Sequence, residues 1–310
     1  MTDAIITAAR KAFHQELTRA EKGTLSISYK TVDEKKKTKH DEWVASNADV
    51  SQASSRALAL HMARQLGAPE VEKSPGQTAG GRFEKAVTNF VRATFPSMSA
   101  IRPGNWTVEN VGGKRSTDHV AQYHPYRHLD ELARAIEINR ELESILGNSY
   151  VVSPDVLLIR DAVTDEEINA TDWMVDEESG LMSPFRASNA ERRGESTDEI
   201  PKFVHGVISC KWTMRSDRAQ NSRSEALNLI RNRKGRTPHI VAVTAEPSLS
   251  RIASLALGTG DIDMVYHACL PELIKAVEEV GTDDAKEMLE TLIHGDRLRD
   301  ITDMVIDLAV

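Results

Sequence analysis

Strands and helices alternate through the second half of the chain, and this order restricts the fold more than any other feature. Short apolar runs predict strands at Val204 to Lys211, His239 to Val243 and Ile262 to Tyr266. Helical patterns separate these strands. Alternation of this kind predicts an α/β fold in which helices cover the faces of a central sheet.

Helical patterns also precede this region, so we expect additional N-terminal helices. With 310 residues the chain can bury a large core, and we interpret residues 1–310 as a single domain. We expect the mixed-charge run at 31–42 to be an exposed loop or insertion and the polar residues 177–199 to be a loop excursion. The other predicted elements are helices at Thr2 to Leu17, Val50 to Leu66, around Phe83 to Val91, Arg127 to Leu146, Pro271 to Val280 and Asp283 to His294, a strand from Tyr150 to Ile159 broken at Pro154, and an apolar tail from Val305 to Val310.

The chain is acidic overall but carries one cationic segment. Its net charge of −8 argues against a protein that coats nucleic acid through bulk charge. From Lys211 to Arg236, eight basic and two acidic residues give +6, which leaves −14 for the rest of the chain. This distribution suits an enzyme that contacts phosphates at one face. A solvated basic helix is the alternative interpretation.

Cysteine usage and hydropathy limit the cellular location. Cys210 and Cys269 form neither a disulfide framework nor a CxxC metal pattern. No stretch approaches the roughly 18 consecutive apolar residues of a membrane helix. Asp3 stands where a signal peptide would carry positive charge. We therefore expect a cytoplasmic protein with no structural zinc and no membrane partner.

Two carboxylates and a lysine follow one another along the predicted core in the order that a metal-dependent nuclease would use. Such chemistry requires carboxylate oxygens around a hard cation and a positive group near the water or the phosphate. Asp155 stands at a predicted strand junction, Lys211 ends the next core strand, and Glu225 lies 14 residues further on. We expect Asp155, Glu225 and the backbone carbonyl of Cys210 to bind Mg²⁺, while Lys211 orients or activates the water. Taken singly, these residues also fit a Pro-Asp turn, a solvated lysine and a helix-start glutamate.

Arg215, Asp217 and Arg218 form a cluster that suits base readout. Arginine offers two parallel donors to guanine, whereas aspartate can only accept, which matches the amino group of cytosine in the major groove. A surface salt-bridge cluster, worth under about 1 kcal/mol, is the alternative. The carboxylate of Asp217 favours base readout over phosphate binding, because its negative charge would weaken a patch that binds phosphate.

Six stretches of the sequence resemble the CCGG family of type II restriction endonucleases, and most closely its NgoMIV-type members. The similarity runs from about residue 45 onward and includes the start of the first helix. The stretches are Pro75 to Glu84 (PGQTAGGRFE), Ile101 to Trp106 (IRPGNW), Ser153 to Asp155 (SPD), Ile208 to Arg236 (ISCKWTMRSDRAQNSRSEALNLIRNRKGR), Pro238 to Pro247 (PHIVAVTAEP) and Ser250 to His267 (SRIASLALGTGDIDMVYH). The central stretch is the most specific, and the run at 31–42 has no counterpart.

The resemblance implies a restriction-endonuclease-like core of the PD-(D/E)xK superfamily with a displaced glutamate. The usual motif has an acid two residues before the lysine, but this chain has Ser209 at that position. Glu225 would replace the missing carboxylate, which accounts for its distance from Lys211. The resemblance also implies that Glu84 is an accessory acid beside the metal.

The resemblance further implies how the protein would bind double-stranded DNA. The cluster of Arg215, Asp217 and Arg218 would read the inner CCGG, and Gln77 and Arg251 would contact the outer G·C pair. We also expect a homotetramer that engages two DNA sites, with a cognate DNA methyltransferase as its functional partner.

These features predict a type II site-specific deoxyribonuclease. We expect Mg²⁺-dependent cleavage of GCCGGC after the first G, which would leave a 5′-phosphate and a 5′ CCGG overhang. A structure-selective or repair nuclease of the same fold is one alternative, although it would need no base-reading cluster. A non-catalytic DNA-binding protein is another, although it would gain nothing from Asp155 and Glu225 beside phosphate.

Overall fold

The computed structural model describes residues 3–34, 38–71, 79–112, 120–138, 154–190, 200–214, 216–258 and 260–310, with the backbone alone at 34, 38, 137 and 216–220. The helices are α1 (Ile5–Leu17), α2 (Ala53–Gln65), α3 (Ala79–Thr94), α4 (His128–Ile138), α5 (Asp165–Ile168), α6 (Ser216–Asn232), α7 (Leu249–Ala256), α8 (Leu270–Val280), α9 (Asp283–His294) and α10 (Ile301–Asp307), with 3₁₀ turns at Phe95–Ala100 and Ala187–Asn189. The strands are β1 (Ile27–Glu34), β2 (Thr38–Ala45), β3 (Trp106–Asn110), β4 (Val156–Asp161), β5 (Lys202–Lys211), β6 (His239–Thr244), β7 (Met264–His267) and β8 (Leu298–Asp300). No helix in these ranges is both long and apolar enough to cross a membrane.

A mixed six-stranded sheet with the order β3-β4-β5-β6-β7-β8 forms the centre of the molecule. β4 runs antiparallel to both of its neighbours, β3 and β5. From β5 onward the strands are parallel, and each is connected to the next through at least one helix. The sequence-based prediction of an α/β sheet flanked by helices is therefore confirmed, as are the additional helices near the N-terminus.

Helices cover both faces of this sheet. Successive side chains of each strand point to opposite faces, so they pack against different helices. On β5, Ile208 and Cys210 belong to the core cluster that includes residues of α1, α3 and α10. Val207 instead packs in the cluster that includes Ala226 and Leu229 of α6. A third cluster joins α2, α7, α8 and α9 over β6 and β7. The side of β5 on which a residue lies therefore decides whether it faces α3 or α6.

The mixed-charge run at 31–42 lies in strands in its described part, so the prediction of a loop was wrong. β1 pairs antiparallel with β2, with Thr31 opposite Asp41. Val32 and Val44 are buried, whereas Thr31 and Asp41 are exposed. Charged side chains on the solvent face concealed the two-residue alternation of a strand in this sequence. That the run is an insertion stays a prediction.

The apolar C-terminal run is part of a packed helix rather than a tail. The short strand β8 pairs with β7 and carries the chain directly into α10. Asp300 caps α10 by accepting the backbone N–H of Thr302. Val305 and Leu308 are buried against the central sheet. With three residues, β8 is too short to produce a recognisable pattern, and the sequence analysis missed it together with β3.

Other predicted elements differ from the structure mainly in their bounds. The helix predicted from Arg127 to Leu146 is observed as α4 up to Ile138, and the rest of it lies outside the described residues. Likewise, the predicted strand is described only from its Pro-Asp break onward, as β4. Residues 177–190 contain a 3₁₀ turn and an isolated β-bridge from Arg186 to Val163, and 191–199 lie outside the described ranges.

Replacing Phe83→Ala should destabilise the protein by about 3–5 kcal/mol, because the change leaves a cavity in the core. Phe83 is fully buried on α3, with its ring centroid 6.4 Å from that of Phe13 and 5.3 Å from that of Trp212. Urea unfolding followed by circular dichroism measures the loss. The exposed Ile5→Ala control should change stability by less than about 0.5 kcal/mol. Equal midpoints for the two variants would contradict this packing.

Candidate active site

The antiparallel pairing of β4 with β5 brings Asp155 to the carboxyl end of β5. Val156 pairs with Ile208, so Asp155 lies beside the last residues of the neighbouring strand. Its side chain is only 2% exposed, and Oδ2 accepts the backbone N–H of Cys210 at 2.8 Å. This hydrogen bond holds the carboxylate of Asp155 at the carboxyl end of β5.

Lys211 lies between two carboxylates. Its Nζ is 3.2 Å from Oδ2 of Asp155 and 3.8 Å from Oε2 of Glu225. The lysine side chain is 17% exposed and that of Glu225 is 37% exposed, so the cluster opens to solvent on the α6 side. Three residues far apart in sequence thus converge as the sequence analysis predicted. Their assigned roles in catalysis stay predictions.

α6 supplies Glu225, and its packing determines where this side chain lies. The helix is continuous from Ser216 to Asn232, so Glu225 continues a helix instead of beginning one. Arg223 Nε donates to Oδ2 of Asp261 at 2.7 Å, and the side chain of Asp261 is 4% exposed. This ion pair anchors α6 to the segment before β7. The local sequence pattern does not predict this pair, because its two residues are 38 positions apart.

Ser209 lies on the α6 face of β5, where the usual motif would have an acid. Its Oγ is buried without a hydrogen-bond partner among the described residues. The residue lines a small cavity together with Pro154, Ser222 and Glu225. Glu225 therefore lies on the same side of the sheet as the position of the missing carboxylate.

The side chains present fit a divalent cation bound mainly by oxygen. The ammonium of Lys211 shows that both carboxylates can approach one positive charge. Among the described residues, no group of three or more His, Cys, Asp and Glu side chains could hold a metal ion. A cation here would therefore rely on Asp155, Glu225 and backbone oxygen, such as the carbonyl of Cys210. Such a donor set suits a hard cation that keeps several water ligands.

Glu84 lies in the first half of α3, next in sequence to a residue that packs against the end of β5. Its neighbour Phe83 packs against Trp212, the residue after Lys211. Glu84 itself is half-buried, and its carbonyl accepts the hydroxyl of Thr88. This position is compatible with the predicted accessory acid, and the role stays a prediction.

The structure describes the predicted base-reading residues only in part. Gln77 and Arg215 lie outside the described residues, and only the backbone is described at Asp217 and Arg218, in the first turn of α6. Arg251, at the start of α7, forms an ion pair with Asp49 and lies 3.7 Å from a carboxylate oxygen of Glu246. None of these observations tests readout, which stays a prediction.

Glu246 is a buried acid that the sequence analysis did not select. It follows β6, and its two carboxylate oxygens accept the backbone N–H of Met214 at 2.7 Å and of Ser248 at 3.0 Å. Met214 immediately precedes the predicted reading cluster, so Glu246 ties that segment to the loop before Arg251. An acid two residues after a buried strand is the signal that could have identified Glu246.

The sequence of this chain matches the NgoMIV restriction enzyme family over residues 28–310. The chain belongs to the NgoMIV restriction enzyme family. It is 46% identical over 268 residues to the type II restriction enzyme NgoMIV of Neisseria gonorrhoeae, a match that covers 86% of this chain and 90% of the relative. The chain is therefore a type II restriction enzyme, and the family predicted from sequence is confirmed.

A solved structure also matches this member of the NgoMIV family, but weakly. In a complex of the restriction endonuclease PspGI with substrate DNA, the match covers 76% of this chain and 82% of that chain, with 12% identity and a TM-score of 0.25. A score this low supports no conclusion about the fold. The assignment to the family depends on the sequence comparisons.

Glu246 should make stability pH-dependent. Burial raises the pKa of Glu246 above its ordinary value of 4.5, against the opposing effect of the N–H donors and Arg251. The folded state then holds the proton more tightly than the unfolded state. The contribution of Glu246 to folding stability is therefore greatest below its ordinary pKa, and it is lost as the pH rises through the raised pKa of the folded state. Glu246→Gln removes this dependence. The stability difference between wild type and variant should therefore be larger at about pH 4 than at about pH 7.

Urea unfolding at both pH values measures this difference. The exposed α9 variant Glu287→Gln is the matched control, and it should leave the pH dependence unchanged. A Glu246→Gln profile parallel to that of wild type would contradict the raised pKa.

Proposed function

We propose that this restriction enzyme hydrolyses double-stranded DNA in a Mg²⁺-dependent reaction at a palindromic site with a CCGG core. The most specific form of the proposal is GCCGGC, cut after the first G to leave a 5′-phosphate and a 5′ CCGG overhang. The observation that carries the proposal is the convergence of Asp155, Lys211 and Glu225 at the carboxyl end of β5. Family membership supports the same conclusion.

The proposed reaction breaks the bond between phosphorus and the 3′ oxygen. Water attacks the phosphorus, the 3′ oxygen leaves and takes a proton, and the phosphate stays on the 5′ end. Asp155 and Glu225 would hold Mg²⁺ together with the backbone carbonyl of Cys210. When bound, Mg²⁺ lowers the pKa of a coordinated water and stabilises the charge that develops on the phosphate.

Lys211 has the geometry for a second role in this reaction. Its ammonium already contacts Oδ2 of Asp155, which fixes the direction of the long side chain. A metal ion held by Asp155 and Glu225 would offset the charge of both acids, which would leave the ammonium of Lys211 available to the water or to a phosphate oxygen. A positive charge at this point orients the nucleophile and opposes the negative charge of the transition state.

Base readout is proposed for the start of α6. Arg215 and Arg218 would each donate two hydrogen bonds to guanine, and Asp217 would accept from the amino group of cytosine. Gln77 and Arg251 are proposed for the outer base pair. Arg251 already serves two acids, although its guanidinium has five N–H donors and can serve a base in addition.

The proposal also covers the oligomeric state of the protein, its cellular location and its functional partner. We propose a homotetramer that engages two DNA sites and acts in the cytoplasm beside a cognate DNA methyltransferase. The buried free thiols of Cys210 and Cys269 are compatible with a reducing compartment.

Lys211→Gln should reduce the cleavage rate by at least about 100-fold, because the amide keeps a donor for Asp155 but removes the positive charge. Plasmid digestion with Mg²⁺ measures the loss, and chelation should abolish cleavage by wild type. Lys202→Gln makes the same change at the other end of β5 and should keep wild-type activity. Full activity of the Lys211 variant would refute the assigned role.

Asp217→Asn should strongly reduce selective cutting, because the amide has no charge and only one acceptor oxygen, so it binds the amino group of cytosine more weakly than the carboxylate. Each lost base contact costs about 1–3 kcal/mol of discrimination, and a palindrome contains the contact twice. Mapping the ends produced from DNA that carries every flank of CCGG measures selectivity and the cut position. Asp284→Asn, on the exposed face of α9, is the control. Unchanged cutting by the Asp217 variant would favour a structure-selective nuclease instead.

A further inference from the structure

A pocket lies at the end of the central sheet opposite to the candidate active site. It contains about 600 Å³ of space, part of it open to solvent, between the end of β4, the start of β5 and the turn that leads into β6. His205 lines this pocket, and Lys211 lies six residues further along the same strand. At about 3.3 Å per residue, the two sites are separated by about 20 Å. The pocket is therefore distinct from the catalytic cluster.

The charged side chains of the pocket are all basic within the described part of the chain. Arg102, Arg160, Lys234 and Arg236 line it, and no described aspartate or glutamate does. Lys234 and Arg236 are exposed at the rim, whereas Arg102 and Arg160 are half-buried. In a protein with a net charge of −8, four basic residues around one cavity are a marked local excess.

Several buried nitrogen atoms at this end of the sheet have no hydrogen-bond partner in the described structure. They are Nε of Arg102, Nε of Arg160 and Nε2 of His239. Arg160 is held in place by other contacts, since Nη2 donates to the carbonyl of Pro103 at 3.0 Å and the guanidinium lies 5.5 Å from the centre of the Trp106 ring. Buried donors are usually satisfied in folded proteins, so the two arginine Nε atoms show that acceptors are scarce around these residues.

The basic groups also repel one another. Burial lowers the pKa of Arg160, and the nearby charges of Arg102 and Arg236 lower it further, against the opposing effect of Glu167. Burial likewise lowers the pKa of His205 to about 4, and His239, Arg102 and Arg236 add to this effect. His205 is therefore neutral at physiological pH. An anion in the pocket would relieve this repulsion among the remaining cations.

One wall of the pocket is aromatic. The ring of Phe203 stacks on Phe185, with 4.3 Å between the centroids, and on His124, with 5.0 Å between the centroids. All three residues line the cavity. A flat ring joined to an anionic group would therefore meet both an apolar surface and the arginines.

We propose that this pocket is a second, non-catalytic site that binds a phosphate group. Guanidinium groups match the geometry of phosphate oxygens with paired N–H donors, and Arg102 and Arg160, which line the pocket, carry such groups. The phosphate can come from a free ion or nucleotide, or from a DNA backbone. The site does not depend on the cleavage reaction proposed above.

Isothermal titration of the full chain with inorganic phosphate, without Mg²⁺ and at constant ionic strength, tests the proposal. Arg102→Gln and Arg236→Gln should each raise the Kd at least about tenfold, because each removes a charge-assisted contact. Arg236 is exposed, so its substitution should leave the fold intact. Arg297→Gln removes an exposed arginine that does not line the pocket and should bind phosphate as wild type does.

Two further probes distinguish the sources of the phosphate. Tighter binding of a deoxynucleoside 5′-monophosphate, lost in both pocket variants, would support a nucleotide that uses the aromatic wall. Displacement of phosphate by a duplex that lacks CCGG would support the DNA backbone as the source. The proposal is overturned if wild type does not bind phosphate, or if both pocket variants bind it as tightly as wild type.

Discussion

The buried carboxylate of Asp155 is the interaction on which the rest of the site depends. A charge that is almost completely removed from water is costly unless hydrogen bonds and an opposite charge compensate for it. The N–H of Cys210 and the ammonium of Lys211 supply both. These same contacts connect the start of β4 to the end of β5. The requirement to stabilise one buried charge thus also fixes the relative position of the groups assigned to catalysis.

α6 links the proposed reading and cutting functions through a rigid element. Position 217 and Glu225 lie on one continuous helix, about 12 Å apart along its axis at 1.5 Å per residue. Arg223 anchors the helix to Asp261, and Glu246 holds the segment that enters it. If the first turn of α6 contacts the bases as proposed, a helix fixed at both places would transmit a shift there to the carboxylate of Glu225. Correct bases would thereby favour correct placement of Glu225, which is a physical route to selective cleavage.

The sequence predicted what depends on local pattern and missed what depends on tertiary contact. The strands around Asp155 and Lys211 have strong apolar runs, so their pattern alone predicted where both residues lie. Glu246 was missed because its partner Met214 is 32 residues away and contributes only a backbone N–H. The strand pairing within 31–42 was missed because charges dominate its composition. The side chains of the reading cluster lie outside what the structure describes, so that part of the site stays a prediction.

The cationic segment identified in the sequence does not form one surface. α6 has 17 residues and spans about 25 Å, so it carries the charge of this segment from one end of the sheet to the other. Lys211 lies at the catalytic end, where two acids face it. Lys234 and Arg236 lie at the opposite end, in a pocket without described acids. A charge sum over the segment therefore overstates what is available to the scissile phosphate. Part of that charge, on Lys234 and Arg236, lies at the proposed phosphate site instead.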